Sequence, residues 1–141
     1  MLDANYIIGL IDGEGSFTVY VNDGKDALKE RRVRIEPKFY IKLVQEDKEI
    51  LYQLQKHFNC GHVYLQKDRR ENHKDCYRYE VSKREDLQNI IIPFFQKNQL
   101  KFLTKKRDFK IFCQIMGEIR KGKHLTSAGL DELRQLKQLM H

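Results

Sequence analysis

Residues 7–17 read IIGLIDGEGSF. An apolar run stops at two carboxylates, Asp12 and Glu14, set among Gly13 and Gly15, and turns apolar again at Phe17. Upstream, Asp3 can cap a helix over residues 3–12 whose apolar face is Ile7, Ile8, Leu10 and Ile11. Gly13 and Gly15 are then expected to end that helix, because glycine takes positive φ cheaply. A helix C-terminus carries partial negative charge, which disfavours each nearby acid by a few tenths to about 1 kcal/mol. A compensating cation removes that conflict. Carboxylate oxygens beside exposed backbone carbonyls are hard ligands, suited to Mg²⁺ or Ca²⁺. Gly9 and Gly13, one helical turn apart, also bare one helix face and let another backbone approach. The plainer alternative is a pair of capping glycines with two solvated turn acids. A Rossmann or P-loop turn does not fit, because those glycines follow a strand and open a helix.

Working outward, GSFTVYVN (residues 15–22) alternates, with Phe17, Val19 and Val21 on one side, which predicts a half-buried strand. NDGKDALKERR reads as a long charged turn. VRIEPKFYIKLV (33–44) is a second strand with Val33, Ile35, Phe39, Ile41 and Leu43 inward. Pro37 lies on that inward side and cannot donate to a ladder, which predicts a sheet edge or a bulge there. Asp47 caps a helix through residue 58, with Ile50, Leu51, Leu54 and Phe58 at helical spacing. GHVYLQKD and DCYRYEVS form a second strand pair around the polar loop RRENHK. Ser82 and Glu85 have capping-box spacing before KREDLQNIIIPFF, which Pro93 should break or bend. A helix over 103–119 carries Phe109, Phe112 and Met116 on one face. After a GKH linker, a last helix carries Leu130, Leu133, Leu136 and Leu139.

Two strand–strand–helix blocks imply an architectural duplication and a four-stranded antiparallel sheet with helices on one side, the α+β class. One domain is expected over residues 1–141, with a core of about 3–117 and a C-terminal helical extension of about 124–141. Alternation then assigns the other sheet face to Ser16, Thr18, Tyr20, Asn22, Arg34, Glu36, Lys38, Tyr40, Lys42, His62, Tyr64, Gln66, Arg78 and Glu80. That set is polar, basic and rich in planar side chains. It reads either as an ordinary solvated sheet face or as a β-surface laid into a DNA groove, where such groups reach base edges.

The bulk numbers agree with a polyanionic partner. Lys and Arg total 27 against 20 Asp and Glu in 141 residues, a formal charge of +7. Contacts to phosphates release condensed counterions and favour such a chain. No apolar run is long enough to span a bilayer, and MLDANY lacks the basic start of a signal peptide. An intracellular protein is expected, in cytoplasm or an organelle, neither secreted nor membrane-bound. Three cysteines argue against a disulfide framework. His57, Cys60, His62, His73 and Cys76 suggest zinc by type, but their spacing matches no common finger, and hairpin residues are the simpler reading.

With these features the chain resembles the LAGLIDADG homing endonucleases. IIGLIDGEGSF is similar to their motif, and FYIKLVQEDKEIL, FLTKKRDF and GLDELRQLKQLM are similar to later landmarks of single-motif members, in the right order. The resemblance implies an αββαββα core with a saddle-shaped sheet over the DNA major groove. It implies a homodimer in which motif helices pack together through Ile8, Gly9, Asp12 and Gly13. Glu14 falls on the catalytic, metal-binding acid, the Gly13 carbonyl on a neighbouring ligand, and Asp12 on the acid that stabilises the motif-helix end. Lys105 or Lys106 falls near the catalytic basic residue. The glutamine that organises water in many relatives is replaced by Leu43, with Gln45 the nearest substitute on the same face if the strand continues that far. The implied function is an intron-encoded, site-specific DNA endonuclease that uses Mg²⁺, with Ca²⁺ or Mn²⁺ as substitutes, and cuts both strands of a near-palindromic duplex. The rival readings are a non-cutting splicing maturase, which would take intron RNA as a partner, a DNA-binding regulator, and a simple dimerising module.

Overall fold

The computed structural model describes residues 2–22, 34–67, 70 and 73–141. Most of the charged turn over 22–32, Val33, and part of the RRENHK loop lie outside the described residues. The chain opens with α1 (Ala4–Glu14) and passes directly into β1 (Gly15–Asn22). There follow β2 (Arg34–Val44), a 3₁₀ turn at Gln45–Asp47, α2 (Lys48–Phe58), β3 (His62–Gln66) and β4 (Cys76–Val81). A short α3 (Arg84–Asp86), a π turn (Leu87–Ile91) and α4 (Ile92–Lys97) run on without a gap, then α5 (Leu103–Arg120) and α6 (Ser127–Gln138) close the chain. The αββαββα order and the α+β class hold. No helix among the described residues is long and apolar enough to cross a membrane.

All four strands join one antiparallel sheet in the order β1-β2-β4-β3. Its inner face presents Phe17, Val19, Phe39, Ile41, Tyr79 and Val81 to the helices, each at most 1% exposed. Phe17 is the hub, with ring centroids 5.1–5.4 Å from Phe39, Phe95, Phe109 and Phe112. The α1 residues Ile7 and Ile11, at 0% exposure, pack into the same cluster. Burying one such side chain is worth about 1.5–3 kcal/mol. This aromatic-rich seam therefore fixes α1 and α5 over one end of the sheet. At the other end α2 lies over β3 and β4.

Several local expectations change on folding. Asp3 caps α1 as expected, accepting the Tyr6 N–H at 2.8 Å, but the helix runs on through Gly13 and Glu14. Gly15 does not end it by positive φ, since its φ is −84°. Space is the reason for glycine here: a Cβ would lie 2.7 Å from Ile11 Cγ2 and 3.0 Å from the Ile11 backbone. Pro37 meets the edge alternative and not the bulge: it pairs with Val19 in continuous register. Strand β4 pairs with β2 only from Phe39 onward, so at Pro37 one side of β2 carries no ladder and the missing donor costs nothing there. The Ser82–Glu85 capping box does not form. Lys83 occupies the cap position without a side-chain bond, and Arg84 Nη2 instead donates to the Ile35 carbonyl at 3.0 Å. Pro93 does not stop the helical run, but it follows directly on the π turn, where the Ile92 N–H reaches back to the Leu87 carbonyl, so the helix changes its hydrogen-bond register just before the proline. Leu139 is 62% exposed, beyond the end of α6, and Met140 fills that place in the core.

Candidate active site and nucleic-acid interface

The motif ends at the α1–β1 junction, and α5 is tied to that junction at two points. Asp12, only 4% exposed, accepts the Lys101 N–H at 3.1 and 2.9 Å and the Phe102 N–H at 3.1 Å. These are the last residues before α5, whose own cap position is Phe102, without a side-chain cap bond. Asp12 therefore supplies the capping anion from 89 residues away, where the dipole of α5 favours it. The compensation expected from a cation comes from backbone N–H groups. In the first turn of α5, Lys105 Nζ donates to the Gly15 carbonyl. Glu14, the residue before it, is exposed. The Lys105 ammonium is thus held at the residue that follows the helix-end acid.

Lys106 goes elsewhere: it lines a shallow hollow with Phe95, Gln96, Gln99, Leu100 and Phe109. Gln45 is not brought to the junction either. Strand β2 ends at Val44, and Gln45 starts the 3₁₀ turn, its N–H donating to the Asp75 carbonyl at 3.2 Å. The condition for sharing the Leu43 face is not met. Gln45 is four residues past Ile41, the register partner of Gly15, on the order of 13 Å at strand rise. Leu43 itself packs against the core.

Two sides of α1 separate the residues predicted for pairing. Ile8, at 6%, and Asp12 are covered by the chain's own core. Gly9 and Gly13 are exposed, and a Cβ built on either meets nothing within 4 Å. The bare stripe continues to Tyr6, which is 49% exposed.

The register places the predicted polar residues on one open face. Ser16, Tyr40, Glu80 and His62 form one row across all four strands, and Lys42, Arg78 and Tyr64 form the next. In the backbone register of β1 and β2, Thr18 pairs with Lys38, Tyr20 with Glu36 and Asn22 with Arg34. Gln66 lies opposite Cys76 at the far end of the β3–β4 hairpin, which also separates Cys76 from Cys60 and His62. At the centre, Lys38 and Arg78 contact Glu80 at 3.4 and 2.8 Å. Burial alone would lower the Arg78 pKa, but a hydrogen bond with Tyr20 and the neighbouring Tyr64 and Glu80 raise it, so the guanidinium stays charged.

As a donor set, the exposed Glu14 carboxylate and the Gly13 carbonyl suit a hard divalent cation. The last carbonyls of a helix lack intrahelical partners, so the Gly13 oxygen has lone pairs to offer. Among the described residues there is no group of three His, Cys, Asp or Glu that could hold a metal.

Sequence reasoning missed the contact between Asp12 and α5. The available signal was a helix starting after Phe102, a residue unable to cap it, with an unexplained buried-type acid elsewhere. It also missed buried Asp108, which accepts the His141 N–H and contacts His141 Nδ1, both at 2.8 Å.

Comparison with known proteins points the same way. The model of the LAGLIDADG endonuclease family matches residues 7–116. "Probable intron-encoded endonuclease 2" of Neurospora crassa is 36% identical over 137 residues, covering 94% of this chain and 28% of that protein. The curated relatives are much longer, and this chain spans only 24–35% of their length. Among solved structures, the homing endonuclease I-TnaI superposes with a TM-score of 0.83 at 34% identity, covering 99% of this chain and 88% of that one. I-SmaMI, bound to an uncleaved DNA target in the presence of calcium ions, superposes with a TM-score of 0.80 at 27% identity over 96% of this chain and 44% of that one. The motif, the strand order and the match over most of the chain place this protein in the LAGLIDADG endonuclease family.

Proposed function

We propose that this chain is a site-specific, divalent-metal-dependent DNA endonuclease that works as a pair of motif-bearing units, a homodimer in which two copies meet along the glycine stripe of α1. One observation carries the reading: Glu14 and Lys105 are gathered at the α1–β1 junction, where the basic open face of the sheet begins. The names of the relatives and the DNA-bound state of I-SmaMI support it.

The chain's residues take definite roles in this reading. Glu14 and the Gly13 carbonyl would hold a divalent cation at the end of α1. When bound, Mg²⁺ supplies Lewis-acid polarisation and an activated water for in-line displacement at phosphorus. The Lys105 ammonium offsets charge developing on a phosphodiester oxygen and can give it a proton. Asp12 holds α5 so that Lys105 reaches the junction. Lys and Arg on the open face bind phosphates, and the planar polar groups select bases. Two units related by C₂ symmetry cut both strands and favour a near-palindromic target. A non-cutting DNA- or RNA-binding role is the second reading, and the presence of both an exposed Glu14 and Lys105 at the α1–β1 junction weighs against it.

The test incubates wild type, Lys105→Ala and Lys106→Ala with a randomised pool of long duplexes, with Mg²⁺ or with EDTA. Wild type and Lys106→Ala should cut a near-palindromic family of sites with Mg²⁺ alone, and Lys105→Ala should bind them with cutting slowed about a hundredfold or more. Specific binding without cutting by any of the three, in any divalent metal, sinks the endonuclease reading in favour of a binding protein.

A further inference from the structure

The open sheet face has a closed centre. Arg78 is 9% exposed although no helix covers that side. Its neighbours on the same face cover it. The guanidinium carbon lies 3.6 Å from the centroid of the Tyr40 ring, and Nη2 donates to Glu80 Oε1 at 2.8 Å. Glu80 is held in turn by Lys38 at 3.4 Å and by the Tyr64 hydroxyl at 3.4 Å. The register explains the cluster, since Glu80 is opposite Tyr40 and Arg78 lies between Lys42 and Tyr64. The Arg78 guanidinium is also hydrogen-bonded with Tyr20 and its Nε is buried with no partner; the two Nη nitrogens carry four N–H groups between them, so donors beyond the Glu80 and Tyr20 bonds remain at that end.

A largely buried ion pair is a poor stabilising device, because desolvation offsets most of the attraction. What this one does is fix a direction. An arginine ordinarily loses rotamer freedom when it docks on a base; here a ring against the guanidinium and a carboxylate at one nitrogen have already removed it. A fixed fork with free donors at its tip matches the O6 and N7 acceptors of guanine in the major groove.

Resting on the DNA-binding reading above, we propose that Arg78 is a specificity-determining residue preorganised for guanine, with Glu80 and Tyr40 as its positioning residues. Each sheet then reads one G·C pair in its half-site, while exposed lysines such as Lys42 of β2, beside Arg78, bind phosphate.

The experiment is a binding selection from a randomised duplex pool in Ca²⁺, read position by position, for wild type, Arg78→Lys, Glu80→Gln and Tyr40→Leu, each checked by thermal melting. Wild type should show one position per half-site fixed as G·C. Arg78→Lys should flatten that position by about 10- to 100-fold and leave the others intact. Glu80→Gln and Tyr40→Leu should loosen the same position by a smaller factor, and they keep the test alive if Arg78→Lys does not fold. The inference is overturned if folded variants leave every position unchanged. It is equally overturned if they weaken all positions alike with a shallower salt dependence, the signature of a phosphate contact. Wild type that selects no DNA removes the endonuclease reading, and this inference with it; selective wild type with indifferent variants removes this inference alone.

Discussion

The two sides of helix α1 are built for opposite ends. The inward side, Ile7, Ile8, Ile11 and Asp12, is at most 6% exposed and tied into the core and to α5. The outward side, Tyr6, Gly9, Gly13 and Glu14, is exposed and meets nothing of its own chain at the glycines. A lone helix gains stability from alanine and loses it to glycine. The outward side therefore gives up stability in the single chain. In the function proposed above, something outside the chain completes these residues: a second helix against the glycines, and a cation and DNA against Glu14. The lesson is that stability and function occupy different faces of the same three turns.

That division can be broken most sharply at Glu14. Glu14→Gln keeps the shape but removes the charge, and cutting should fall by about a thousandfold or more while target binding and melting temperature stay near wild type. A matching loss of melting temperature would show that the outward side also holds the fold. The inward side should behave in reverse. Ile11→Ala, at a position with 0% exposure, should cost about 2–5 kcal/mol in denaturant unfolding, and activity should be lost only in proportion to the unfolded fraction.

Asp12 tests the boundary between the sides. Asp12→Ala leaves the Lys101 and Phe102 N–H groups without their acceptor, a cost of about 1–3 kcal/mol. It should also release α5, so kcat should drop beyond what the folded fraction explains, with little change in target affinity. An activity loss that tracks unfolding alone would make Asp12 purely structural. The smallest effect is the most diagnostic. Gly9→Ala should stabilise a dilute single chain by about 0.5–1 kcal/mol, yet weaken self-association in sedimentation. Unchanged association would move the pairing surface away from the stripe.

Much of this was legible beforehand. The open face could be assigned because antiparallel pairing with period two leaves no choice of side once a strand's apolar residues face inward. Asp3 as cap, the glycine spacing on α1 and the acid at its end follow from local periodicity in the same way. The failures were also local rules, overruled from outside. Gly15 was read through its φ, but its reason is the Ile11 side chain beside it. Ser82 and Glu85 had the right spacing for a cap, but Arg84 reaching the Ile35 carbonyl sets that corner. Gln45 had the right parity for a strand that stops one residue earlier.

Alternation along the chain was enough for the class and the face, because helix and strand periods depend on neighbours a few residues apart, and the motif was legible by its resemblance to the family's own stretch. The lysine that meets the motif, the acid that caps a helix 89 residues away and the arginine closed over by its own sheet were decided only by tertiary structure. Each is a contact between segments remote in the chain, set by how α5 packs on α1 and how the strands register. No period running along the sequence encodes that distance.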